Sequence, residues 1–402
     1  MKLLFLTAET CPTFRVDVTV LFGKYLPRRG VFTDMVAGLT PGHPSPVSWG
    51  GGEVRLCDLS GGQARKYVEI LLHGIRCLFR ANRARYQAIQ VRDMPVLATF
   101  GLLASRVKGL PFFYWMSYPI PEGHSNIARE RGLSAGVMKF LFPWVAGGVG
   151  KLLLYRLVLP NADHVFVQSD RMKQQMVARG VRPDKMTPVP MGVDMEDANA
   201  DKIQLADDAR LQGRRVLVYL GSLDRPRKVE VLFEMLALVK RDFPDSLLVL
   251  VGDTEDQVHR TWLRAEAQAA GVADDVIWTG WLSMGEGWRY VRSAQLGLSP
   301  IPRGPLLDVG SPTKVFEYLA LGVPVVGNDN PDQESVLRES GAGACVPYTA
   351  EAFAHAVVEM LLKSSHERQA LVEKGRSYVT SNRSYEVIST KLAEKYEQLL
   401  ET

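Results

Sequence analysis

Ser311, Lys314 and Glu317 recur at every third residue within "GSPTKVFEYLALGVPVVGND" (310–329). That spacing lines three polar side chains along one edge of a helix. The other faces are apolar nearly all round (Val315, Phe316, Tyr318, Leu319, Ala320, Leu321), the pattern of a buried helix. Two explanations stand for the charged edge. Either Lys314 and Glu317 form a solvated ion pair, a common and weak arrangement, or the edge faces a cleft and a ligand. Ser311 as cap and Pro312 at the first position mark the helix start. Gly322 marks its end, and "VPVV" then reads as a strand buried on both faces. A helix start just beyond the strand "LGLSPI" (296–301) and the loop "PRGPLLDVG" (302–310) presents free N–H groups and a positive dipole end to an anion.

A second candidate lies in "YLGSLDRPRKVEVLFEML" (219–236). A buried strand ends in Gly221-Ser222, a polar turn follows, and Arg225, Arg227 and Lys228 are expected to open an amphipathic helix. Cations at a helix N-terminus oppose the macrodipole and so point to an external anion; a solvated basic turn is the plain alternative. Two such places at strand ends of one domain, one of them with a carboxylate suited to ribose hydroxyls, fit a nucleoside diphosphate.

The elements that must position these residues alternate strand and helix along the whole chain, the order of parallel sheets with helices on their faces. Strands are expected at 2–8, 88–93, 112–117 and 163–169 in the first half, and at 215–222, 247–253, 276–281, 296–301 and 323–328 in the second. The 402 residues suit two similar α/β domains. The boundary falls in the Asp/Ala-rich stretch 192–213, giving domains 1–195 and 196–384. The last segment, 385–402, has helical spacing and can pack on either domain, including back on the first. Residues 38–62, rich in Gly and Pro and without periodicity, read as a mobile loop.

Residues 1–200 carry 25 Lys+Arg against 15 Asp+Glu, and the remainder 23 against 29. A basic first half suits an anionic partner. Nucleic acid is not supported, since no RNP, zinc-finger or basic-zipper pattern is present; membrane lipid or a phosphorylated acceptor remains. Cys11, Cys57, Cys77 and Cys345 are scattered without a C-x-x-C pair, so neither a metal site nor a disulfide framework is indicated. With an N-terminal apolar run too short for a secretory leader, a reducing cytoplasm is the expected compartment. "GGVGKL" (147–152) lacks the earlier Gly and the Ser/Thr of a phosphate loop, and no G-x-G-x-x-G follows the first strand. The stretch 136–160, with Lys139, Lys151, Arg156 and Pro143, is a poor membrane span. It suits either an internal helix of the first domain or a peripheral contact in the headgroup region.

The blocks "YLGSLDRPRK", "LLVLVGD", "VIWTGWL", "SPTKVFEYLALGVPVVG" and "ADHVFVQSDRMKQQMVARGVRPDKMTPVPMGVD" resemble the retaining family-4 glycosyltransferases of the GT-B fold, densely over about 160–345. The resemblance implies two Rossmann-like domains with parallel sheets facing across a cleft. It implies transfer of a sugar from a nucleoside-diphosphate donor (UDP- or GDP-linked) to a glycan or polyprenyl-linked acceptor, without cofactor or metal; the chain has no D-x-D triplet. Catalytic roles then fall to Lys228, which neutralises the diphosphate, to Glu317, which binds the ribose and would have no partner inside the protein, and to His124. Gly221, Ser222, Arg225, Asp308, Gly310, Ser311, Thr313 and Lys314 complete the expected nucleotide-sugar site, and Asp17, Ser117 and His124 the acceptor side.

Several positions depart from the family pattern. Val309 stands where an acidic residue usually contacts the sugar, with Asp308 adjacent as a substitute. Ser222 stands where a basic residue is frequent, and Ser117 where many members place a His, with His124 as its replacement in the same loop. Asp17 either touches the acceptor or sits in the first turn of a helix. These departures keep open a catalytically inactive binding protein of the same fold, and a sugar-nucleotide epimerase or hydrolase.

Overall fold

The structure, a computed structural model, describes residues 1–42, 47–59, 61–132 and 136–401. The chain divides into two compact units, Met1–Pro190 with Tyr385–Thr402, and Met191–Ser384. Each is a parallel sheet with helices on its faces.

The first unit has seven strands: β1 (Lys2–Cys11), β2 (Phe32–Leu39), β3 (Val54–Cys57), β4 (Ala88–Arg92), β5 (Phe112–Met116), β6 (His164–Val167) and β7 (Met186–Pro188), in the order β3-β2-β1-β4-β5-β6-β7. Every residue of β4 and β5 is buried, as expected for central strands covered on both faces. On one face Phe5, Phe113, Trp115 and Phe166 pack against Phe22, Tyr25 and the C-terminal helix Tyr385–Leu400, whose Ile388, Leu392 and Tyr396 enter the same core. The Tyr396 hydroxyl donates to Gln90 Oε1 (2.6 Å), a buried polar group that needs a partner.

Strands β2, β3 and β7 fall outside the expected ones. Strand β2 hides its pattern behind Asp34, fully buried because Lys2, Arg85 and the Tyr86 hydroxyl surround its carboxylate. Burial pushes its pKa up, but the Glu53 amide and these partners outweigh burial and hold it down to about 2. Part of the stretch expected to be a mobile loop is strand, at 38–39 and 54–57; residues 43–46 and 60 lie outside the described residues. Trp49 donates to the Thr33 carbonyl (2.8 Å), the Gly51 carbonyl accepts from Thr33 (2.7 Å), and 54–57 is the edge strand β3. Glycine is needed at 50 because a Cβ there would stand 2.1 Å from the Gly23 carbonyl oxygen.

The stretch 136–160 forms the helix Val137–Leu152, continued by Leu153–Val158 and Leu159–Asn161. Pro143 does not break it. By length and composition Lys139–Asn161 could cross a membrane, with a mean hydropathy of 1.3. One seam of it (Pro143, Gly147, Gly150, Leu154, Val158) is buried within the unit. Gly147 allows close approach, since a Cβ would meet Ser125 Oγ at 2.5 Å. Of its apolar 18-residue window 28% is buried, so the run packs on the unit along one seam and exposes its other flank.

The second unit has β8 (Arg215–Leu220), β9 (Ser246–Val251), β10 (Val276–Trp278), β11 (Leu296–Ser299), β12 (Val325–Asn328) and β13 (Gly343–Val346), in the order β10-β9-β8-β11-β12-β13. Strand order reverses between β8 and β11, which pair only through Leu217 and Val218. Beyond that point the two strands splay, and the Tyr318 hydroxyl fills the gap: it accepts from the Leu220 amide (2.7 Å) and donates to the Leu298 carbonyl (3.3 Å). Tyr318 lies flat on β11 because Gly297 has no side chain; a Cβ there would stand 2.4 Å from the ring. Replacing Gly297 by Ala should therefore cost about 1–3 kcal/mol by overpacking and displace the helix that carries Lys314 and Glu317. Chemical denaturation, with nucleotide titration alongside, measures both effects, and a neutral Gly297→Ala would contradict this packing.

Candidate functional site

Open α/β sheets bind ligands beyond the carboxyl ends of their strands where strand order reverses. In the second unit that place lies between the turn after β8 and the loop after β11. Gly221 opens the turn at φ +144, a conformation that side chains resist. Its amide donates to the Val251 carbonyl (2.9 Å), and its own carbonyl would lie 2.1 Å from a Cβ at Gly252. Ser222 is held through its carbonyl, which accepts from the Tyr219 hydroxyl (3.0 Å).

The cations that follow do not open a helix. Arg225–Arg227 is a single 3-10 turn, and the next α-helix is Val231–Val239. Lys228 between them is left-handed at φ +47, a strained setting for a long side chain. Its carbonyl accepts from the Tyr348 hydroxyl (2.7 Å), while its ammonium is exposed and makes no hydrogen bond among the described residues. Arg225 spends its Nε on Asp256 (3.0 Å).

Across the switch point the helix is Thr313–Ala320, with Pro312 at its cap position and no side chain bonded to its first amides. Ser311 does not cap it. Its hydroxyl accepts from the Met191 amide (3.0 Å) and donates to Asp332 (2.6 Å), which is paired with Arg383 (2.7 Å). The amides of Thr313 and Lys314 are thereby left for an anion. Asp308 braces the loop: both its oxygens meet the Arg303 guanidinium (2.9 and 3.1 Å), and the Gly304 amide adds a third bond. Gly310 bonds back to Leu307 (3.3 Å), and Val309 is buried. Asn328 braces the start of the same loop through both polar atoms on Ile301 (2.7 and 2.8 Å).

No ion pair joins Lys314 to Glu317. The Lys314 ammonium sits 4.1 Å from the Tyr219 ring centroid, beside Gly221, and burial lowers its pKa to about 7. Glu317 accepts from the Trp288 indole N–H (3.2 Å) and from Thr313, yet burial still raises its pKa above the usual carboxylate range. The expectation that Glu317 is unpartnered is thus corrected: Trp288, from the helix Met284–Arg292, fixes one oxygen. The ion-pair form of the solvated-edge reading fails with it, since the two side chains take different partners, the Tyr219 ring and the Trp288 indole.

In the first unit the corresponding reversal lies between β1 and β4. Buried Arg92, the last residue of β4, donates to Asp17 (2.8 Å) and Glu9 (2.7 Å) and lies 3.5 Å from Asp93. Asp17 is the first residue of its helix and almost fully buried, so its carboxylate balances Arg92. Asp93, at φ +56, accepts from the Ser117 amide (2.8 Å) and hydroxyl. Ser117 is therefore oriented by Asp93. His124 lies in the helix Ile120–Arg131 rather than in a loop, is half-buried with its pKa lowered by burial, and makes no hydrogen bond among the described residues. Glu9, Arg92, Asp93, Trp288 and the Asp332–Arg383 pair were missed in the sequence. The one usable signal was that a carboxylate on a buried helix requires a donor.

The family description "Glycosyl transferases group 1" matches residues 202–378, and "Glycosyl transferase 4-like domain" matches 13–192. The chain belongs to the group 1, family-4-type glycosyltransferases. Its two parallel-sheet, Rossmann-like units are those of the GT-B fold. This glycosyltransferase is 29% identical over 187 residues to a protein named for teichuronic acid biosynthesis, the glycosyltransferase TuaH of Bacillus subtilis, and the match spans 44% of that relative's length and 45% of this chain. Sucrose-phosphate synthase of Thermosynechococcus elongatus has the same fold over 100% of both chains (TM-score 0.72, 20% identity). HepE of Anabaena in complex with UDP-glucose matches over 99% of this chain and 100% of its own (TM-score 0.68, 14% identity).

A diphosphate beside Lys314 favours the charged amine and raises its pKa, so anion binding should draw in a proton at about pH 7 to 8. Calorimetry with UDP as probe in buffers of different ionisation enthalpy should show fractional proton uptake that Lys314→Met abolishes. Uptake unchanged in Lys314→Met would remove Lys314 from the anion site.

Proposed function

We propose that this glycosyltransferase takes a UDP-linked sugar and passes the sugar, with retention of anomeric configuration, to a hydroxyl of a polyprenyl-linked glycan at the inner face of the cytoplasmic membrane, in cell-surface polysaccharide synthesis. One observation carries the donor half. At the switch point of the second unit, Lys314 and Glu317 diverge from a helix with uncapped amides, beside the Gly221 turn. A nucleoside diphosphate fits that arrangement. The carboxylate, held by Trp288, accepts from the ribose hydroxyls, while the free amides, Lys314 and the exposed ammonium of Lys228 face the diphosphate. UDP is favoured as base because HepE is seen with UDP-glucose, and the polysaccharide setting is supported by the name of the TuaH relative.

The chemistry needs no separate general base if the departing diphosphate takes the acceptor proton. Lys228 and the 313–320 helix start then lower the barrier by stabilising the negative charge that develops on that diphosphate. On the acceptor side the Arg92–Asp17–Asp93 cluster holds Ser117 rigidly at a strand end, and His124 is an unpaired imidazole on the neighbouring helix.

Glu317→Gln keeps an acceptor oxygen for Trp288 and removes the charge. Charge-assisted bonds contribute roughly 1.5–3 kcal/mol each, so UDP binding should weaken about tenfold or more while the melting temperature changes little. Calorimetric titration with UDP and GDP beside a thermal melt reads both, and wild-type UDP affinity in the folded variant would sink the ribose assignment.

The membrane half rests on the exposed flank of the 137–152 helix. Leu141, Trp144, Val149 and Leu152 are 41–62% exposed, with Lys139 and Lys151 beside them, the composition of an interfacial helix. Each cation near an anionic surface contributes roughly 1 kcal/mol. Lys139→Glu with Lys151→Glu, or Trp144→Ala alone, should release the protein from anionic liposomes in sedimentation assays; retention by both variants would leave this flank without a membrane role.

A further inference from the structure

Away from both switch points, the open edge of the first sheet carries a cavity of about 410 Å³ between β3 and the helix Gln63–Arg80. Its lining is unusual in charge. Arg55 from the edge strand and Arg76 and Arg80 from the helix face one space, together with His73 and Cys77. On the helix, 73, 76, 77 and 80 share one face by the i, i+3, i+4 rule. Neither Arg76 nor Arg80 has a hydrogen bond or ion pair among the described residues. Arg55 meets the Cys77 thiol and has a long contact to Glu53 (3.9 Å), and Glu53 is closer to Arg85. His73 is turned so that Nε2 meets the Arg55 carbonyl (3.2 Å). Three guanidinium groups in one concavity, two of them without an acidic partner among the described residues, repel one another, and an anion there removes that cost.

We propose that this edge cavity is a binding site for a phosphate group, a phosphomonoester or phosphodiester, distinct from the nucleotide-sugar site. Guanidinium forks match phosphate oxygens in bidentate geometry, and converging forks are the arrangement that recognises phosphate. The volume lies within the range of small-ligand sites. The next flank of the same helix exposes Val68, Leu72 and Phe79 (50%, 45% and 78%). A phosphate on a lipid headgroup could therefore enter the cavity with its chain along that flank, and a soluble phosphoester would use the cavity alone.

The whole protein is titrated calorimetrically with glycerol 1-phosphate, and sedimented with phosphatidylglycerol vesicles against phosphatidylcholine vesicles. Arg76→Gln with Arg80→Gln, and separately Arg55→Gln, should weaken glycerol phosphate binding at least tenfold, or abolish the excess binding to phosphatidylglycerol, while UDP affinity stays that of the wild type. Arg171→Gln with Lys391→Gln, which removes two exposed cations outside the cavity, should change neither. Saturable glycerol phosphate binding without a vesicle preference assigns the site to soluble phosphoesters, and a vesicle preference lost in the cavity variants assigns it to lipid. Absence of both in the wild type, or equal losses in the Arg171/Lys391 control, overturns the proposal. Because UDP binding is followed in parallel, a failure here is separable from a failure of the nucleotide-sugar reading.

Discussion

The second unit depends on one phenol. Where β8 and β11 part, two backbone groups lose their ladder partners inside a dry core, and the Tyr318 hydroxyl satisfies both. An unfilled gap would leave a buried amide and a buried carbonyl unpaired, at a cost of about 1–3 kcal/mol each. The same residue fixes the 313–320 helix against the sheet, because Gly297 lets its ring lie on β11. The splay between β8 and β11 and the contact that fixes the helix carrying Lys314 and Glu317 are thus one feature. Residues at positions two and five of the helix are placed by the residue at position six.

Around that staple the polar groups divide their work. Asp308, Ser311, Asn328 and Asp332, all suited by type to touch a ligand, are consumed in holding the loop before the helix. Their fixed geometry leaves the helix amides uncapped and the loop closed, which is the preorganisation that an anion site needs. Among the described residues, the groups left over include Arg227, Lys228, Lys314 and one side of Glu317. Burial depresses the amine of Lys314 to about 7, so it gains charge when an anion binds beside it, while burial raises the carboxyl of Glu317 above the usual carboxylate range.

The first unit repeats the logic with opposite content. Its switch point is filled by the Arg92 guanidinium among Glu9, Asp17 and Asp93, a buried network that would be strongly destabilised by loss of one member. Its surface is where the two units differ. The long 137–161 helix run and the 63–80 helix expose apolar flanks beside Lys and Arg, whereas residues 201–402 carry more acid than base.

Sequence by itself determined the fold class and the nine strands whose apolar runs are long or β-branched, because periodicity and Gly and Pro placement act locally; around Lys228 and Glu317 it offered candidates by residue type. It did not show β2, β3, β7 and β13, which are short or interrupted by a buried polar residue such as Asp34, whose partners Lys2 and Arg85 come from remote segments. Nor could it separate ligand-facing polar side chains from structural ones. Asp308 and Arg303 are five residues apart and Ser311 and Asp332 twenty-one, and whether such pairs meet is fixed only when the loop closes. Residue type says what a side chain can bond. Tertiary structure decided which bonds were already spent, because a buried polar group takes the partner that packing brings within about 3 Å of it.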